Sequence, residues 1–63
     1  MKLRDLLSVT NGYTEVVVKN LKTEGYTEGT VKKLKNGDYE VLGMEVDYIQ
    51  VDHLANTLYI MVK

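Results

Sequence analysis

The chain has no cysteine, no proline, no tryptophan and no phenylalanine, and one histidine, His53, in 63 residues. Without cysteine there are no disulfides and no thiolate metal sites, which fits a reducing compartment. A structural zinc takes about four ligands, and His53 with scattered carboxylates is a poor set. No G-x-x-x-x-G-K and no G-x-G-x-x-G run is present, so Gly25, Gly29, Gly37 and Gly43 read as turn and bulge residues, not a phosphate cradle. No stretch of eighteen apolar residues occurs, so no membrane-spanning helix is expected. Asp5 interrupts the N-terminal Met-Lys-Leu-Arg-Asp-Leu-Leu, which therefore lacks a signal core; a cytoplasmic location is expected.

What is present fits one small globular domain over residues 1–63, with 44% hydrophobic and 27% charged residues. A chain this short buries only ~60% of its unfolded surface, and its core rarely supplies more than roughly 3–5 kcal/mol. With disulfides and metal excluded, a partner chain or self-association is the remaining support, and a homodimer is expected. Net charge is −1 and the pI is about 5.7, which speaks against nucleic acid as a partner. The charges are segregated. Residues 19–37 carry five lysines against Glu24 and Glu28, whereas residues 38–53 carry Asp38, Glu40, Glu45, Asp47 and Asp52 with no lysine or arginine. That pattern reads as two solvated faces or as a dipole whose acidic segment meets a basic partner.

Residues 2–10 place Leu3, Leu6, Leu7 and Thr10 at helical spacing, and Asn11-Gly12 supplies a stop. The β-branched run in residues 15–21 predicts a strand, and residues 26–31 return as a second strand after a turn at 22–25. Residues 31–42 carry two signals. Asn36-Gly37 favours a hairpin, whereas the three-residue spacing of Val31 and Leu34, with Thr30 as cap and Gly37 as stop, favours a helical turn at 31–36. The turn is preferred, with Tyr39, Val41 and Leu42 packing a loop or further turn onto the core. Residues 44–53 and 57–62 predict a hairpin, with Asn56 at positive φ. A motif Tyr-Thr-Glu-x-x-Val-Lys-x-Leu-Lys occurs at 13–22 and again at 26–35, thirteen residues on; taken as a repeat it favours a meander over 26–42. The expected fold is α+β: a four-stranded, mainly antiparallel sheet with a short N-terminal helix and a second helical turn. An all-β meander with one helix is the alternative.

Met1-Lys2-Leu3-Arg4-Asp5-Leu6-Leu7, then Thr14-Glu15-Val16-Val17-Val18, Glu28-Gly29-Thr30-Val31, Glu45-Val46 and Thr57-Leu58-Tyr59-Ile60 carry a resemblance. In this order they resemble very small α-β-β-α-β-β proteins encoded by phages and mobile elements of Gram-positive bacteria. The similarity spans nearly the whole chain and rests on hydrophobic patterns and turn signals. It implies the fold and a phage-like context, in which such proteins often inhibit or redirect host machinery. It brings no functional residue to this chain.

Candidate chemistry is sparse. His53 beside Asp52 reads as a solvent-facing strand end more readily than as a base, because no partner in triad order can be placed near it. Asp47 and Asp52 are an odd number apart, so a regular strand puts them on opposite faces, and no calcium-loop pattern is present. No catalytic, metal or cofactor-binding residue is assigned, and the protein is expected not to be an enzyme.

The sheet carries the functional expectation. Val16, Val18, Leu58, Ile60 and Val62 line one face, which Leu3, Leu6 and Leu7 of the helix can cover. The opposite face carries Val17, Leu21, Tyr59 and Met61, and the third strand adds either Val46 and Tyr48 or Ile49 and Val51, depending on register. One short helix and one turn are too little for both faces, and an exposed apolar patch marks an interface. Val17, Tyr48, Tyr59 and Met61 form the candidate interaction surface. The function expected is a protein-binding module, such as an inhibitor or modulator of a host defence system. The alternative is a homo-oligomer that sequesters a small ligand such as a nucleotide, with lysines for phosphate and tyrosines for the base.

Overall fold

The computed structural model describes residues 1–37 and 39–63, so the carboxylate of Asp38 lies outside the described residues. Helix α1 spans Leu3–Ser8. Strand β1 (Glu15–Asn20) is followed by β2 (Tyr26–Thr30), the helical turns α2 (Val31–Leu34) and α3 (Tyr39–Leu42), and strands β3 (Val46–Asp52) and β4 (Thr57–Val62). The sheet order is β2-β1-β4-β3. Two of its three pairings are antiparallel hairpins, and the central pair β1–β4 is parallel. Among the described residues no helix is long and apolar enough to cross a membrane.

Each junction follows from local chemistry. Lys2 N–H donates to the Asp5 carboxylate at 3.3 Å and opens α1. Thr30 does cap α2: its Oγ1 accepts from Lys33 N–H at 3.2 Å, and Gly37 N–H closes the turn on the Leu34 carbonyl at 3.0 Å. The helical-turn signal at 31–36 therefore prevails over the Asn36-Gly37 hairpin signal, and the all-β alternative does not form. Replacing Thr30 by alanine is expected to cost about 1 kcal/mol, read as a lower denaturant midpoint with an unchanged slope. Asn56 takes φ 51° in the β3–β4 turn, as expected, while Asp52 Oδ1 accepts from Leu54 and Ala55 N–H at 3.0 and 3.2 Å. In the β1–β2 turn the left-handed residue is Glu24, φ 61°, and not the adjacent Gly25.

The thirteen-residue motif is not a structural repeat. Its first copy supplies β1, with Val18-Lys19 extended, and its second supplies β2 and α2, with Val31-Lys32 helical. Strand β1 also stops one residue short of expectation: Leu21 lies in the turn, its N–H on the Val62 carbonyl at 2.8 Å.

Parity decides the faces. Val16, Val18, Ile60 and Val62 are buried on one side of the sheet against Leu3 and Leu7 of α1, Val31 of α2 and Leu42 of α3. Leu6, Leu34, Val41 and Met44 pack against this cluster. Among the described residues no polar or charged side chain is buried, so hydrophobic burial, at roughly 1.5–3 kcal/mol per full side chain, has no desolvated polar group to offset. Neither register expected for the third strand holds throughout. A bulge between Val46 and Tyr48 shifts the pairing by one residue. Val46 sits opposite Val62 and Ile49 opposite Ile60, all on the helix side, while Tyr48 sits opposite Met61 on the other side.

Candidate interaction surface

The side of the sheet away from the helices is a grid of twelve positions, three deep and four wide. The first row runs Tyr26, Lys19, Met61, Tyr48. The second runs Glu28, Val17, Tyr59, Gln50. The third runs Thr30, Glu15, Thr57, Asp52. Val17, Tyr48, Tyr59 and Met61 therefore lie on one side of the sheet; alternation implied this for Val17, Tyr59 and Met61, whereas the register of the third strand left Tyr48 open. All the buried helix residues belong to the cluster on the opposite side. Tyr59 and Met61 are only half-buried, by their cross-strand neighbours, and Tyr48 is 51% exposed.

Tyr26 joins this face, 69% exposed, across from Lys19. Counting back from the β1–β2 turn sets it at that position. A shallow depression lined by Val17, Lys19, Tyr26, Glu28, Tyr59 and Met61, and reached by Glu24 from the turn, marks the middle of the surface. Glu24 and Glu28 line it beside Lys19, and Glu15 lies on the same face beyond Val17, so carboxylates outnumber the cation there.

The acidic segment behaves differently. Glu45 holds the Met1 amine at 3.1 Å and Lys2 Nζ at 3.6 Å, and Asp47 holds Lys63 Nζ at 2.8 Å. Asp52 is engaged in its turn. Glu45, Asp47 and Asp52 thus each have a partner within the chain.

The Met1 amine, followed by Lys2, holds the Glu45 carboxyl below the usual carboxylate range. A lowered folded value means that the stabilisation is complete above the ordinary carboxylate range and is lost as pH falls through the lowered value. Replacing Glu45 by glutamine is expected to flatten that acid limb of a denaturation-midpoint profile while leaving the neutral limb parallel to wild type. Both partners are exposed, so salt reduces the difference. Lys63 is displaced the other way, raised by its contact with Asp47. Its share is present at neutral pH and lost only as pH rises through the raised value.

No reacting constellation forms among the described residues. His53 is exposed in the turn after β3, and among the described residues no group of three histidine or carboxylate side chains is placed to hold a metal ion. An open cleft of about 470 Å³ lies between the β1–β2 turn and α3, lined by Asn20, Lys22, Tyr26, Glu40 and Met44 among others. No buried polar side chain points into it. Lys32 and Lys33 lie on α2, whose Val31 packs into the core on the helix side, whereas Tyr48 and Tyr59 lie on the open side. Lys19 and Tyr26, by contrast, line the shallow depression together with Tyr59, and Lys22 and Tyr26 line the cleft. No protein-family model, no curated protein and no solved structure matches the chain.

Proposed function

We propose that this chain is a non-enzymatic protein-binding module that docks through the open face of its sheet, in the manner of a small phage-type inhibitor or modulator of a host protein. The observation that carries the reading is the grouping of Val17, Tyr48, Tyr59 and Met61 on one face, with the buried residues of the described helices all on the other. Tyrosine and methionine at the centre with charges at the rim is the composition of a docking surface. The excess of carboxylates there selects the occupant, a protein with an apolar spot ringed by lysine or arginine. A second copy docked face to face would set carboxylates against carboxylates.

The test is capture from a Gram-positive bacterial lysate by the immobilised chain and by a Tyr59→Lys variant of unchanged circular dichroism. The expected result is one protein retained in stoichiometric amount, weakened at high salt and lost with the variant. Retention of that protein by the variant, or no stoichiometric protein at all, overturns the reading.

A further inference from the structure

The two edges of the sheet are unlike. Strand β2 is short and polar, Tyr-Thr-Glu-Gly-Thr, with Gly29 at φ 153°, features that blunt an edge. Strand β3 has seven residues and exposes Tyr48, Ile49 and Val51. Ile49 and Val51 lie on the helix side, opposite Ile60 and Leu58, yet remain 44% and 56% exposed. Among the described residues, the outer edge of β3 is occupied only at its start. There Val46 N–H donates to the Met1 carbonyl at 2.9 Å and Lys2 bridges to Glu45. The turn begins at His53. The open stretch is Tyr48–Asp52, and its centre is Gln50.

We infer that this edge pairs antiparallel with β3 of a second copy, with Gln50 opposite Gln50 across a twofold axis normal to the sheet. In that register Ile49 faces Val51 of the second copy and Val51 faces its Ile49. The exposed β-branched side chains become two cross-strand pairs on the helix side. Centring on Ile49 instead sets Asp52 opposite Val46, where Met1 already lies. The pairing leaves the open face free and does not depend on what docks there. A five-residue ladder buries less than the roughly 1,200 Å² of a stable interface, so the association is weak and concentration-dependent.

Two experiments test it. Sedimentation of the whole chain up to the order of a millimolar should show a monomer–dimer equilibrium. Ile49→Lys should weaken it at least tenfold, and the double variant Ile49→Lys/Val51→Glu should restore it through two new Lys–Glu pairs. In a chain without other cysteines, Gln50→Cys should form a disulfide dimer at least tenfold faster than Ile49→Cys. Directly opposed Cα atoms sit about 4.5–5.5 Å apart, within disulfide reach, whereas the two copies of position 49 would be roughly 8 Å apart. A monomer at every concentration, unaltered association of Ile49→Lys, or equal cross-linking at 49 and 50 overturns the proposal.

Discussion

Replacing Ile60 by alanine abolishes the cooperative unfolding transition. Ile60 is fully buried in the central strand β4, beside Val18 of β1 and opposite Ile49 of β3. It therefore touches the core from the middle of the sheet, where neighbours on both sides are held by ladder hydrogen bonds and collapse least into a void. Truncation of a buried isoleucine costs about 2–5 kcal/mol. A domain of this size rarely holds more than roughly 3–5 kcal/mol in its core. The loss is of the order of the whole, so the variant's far-ultraviolet spectrum at 25 °C is expected to be that of an unfolded chain. Ile60→Val, which removes one methyl and keeps the branch, should cost only about 0.5–1.5 kcal/mol and retain a sigmoidal melt. A cooperative melt for Ile60→Ala within a few degrees of wild type contradicts this account of the core.

One residue earlier on the same strand the expected outcome inverts. Tyr59→Lys keeps the fold and removes the docking activity. Tyr59 points away from the helices, between Val17 and Gln50, and belongs neither to the buried cluster nor to the residues packed against it. Lysine at that position lays its methylenes over Val17 and reaches water with its ammonium. In a complex it takes an aromatic anchor from the middle of the surface and opposes the basic ring of the partner. Anchors of that kind carry about 2 kcal/mol or more, so affinity should fall by roughly 30-fold or more at unchanged melting temperature. Tyr48→Lys at the edge of the face is the control, with a smaller loss and no conceivable effect on the core. The pair Ile60 and Tyr59 thus separates folding from recognition by a single step along β4.

Much of this division was legible from alternation. Val16, Val18, Ile60 and Val62 against Val17, Tyr59 and Met61 need only a period of two and two extended runs. The stop and cap signals at Thr30, Gly37 and Asn56 also hold, because each is satisfied by bonds within a few residues. What stayed illegible depends on partners distant in the chain. Nothing in residues 15–20 or 57–62 announces that they lie side by side and parallel. The bulge before Tyr48 has no local mark, because Asp47 reads as an ordinary outward strand residue until its partner Lys63 is in place. The acidic run left two readings open for the same reason: Glu45 and Asp47 find their cations at the two ends of the chain. Glu24 in the left-handed region goes against local preference, with a glycine next to it.

The parallel β1–β4 pair has a kinetic consequence. Glu15 lies beside Thr57, forty-two residues away along the chain, and between them every other strand and two helical turns must be threaded. The middle of the sheet is thus laid down last, after both outer hairpin arms exist. Folding should be limited by closure of that long loop rather than by either hairpin, on the slow side for so few residues. A fragment ending at Leu54 should show no cooperative structure, since the β1–β2 hairpin would be left alone with helices that have nothing to lie against.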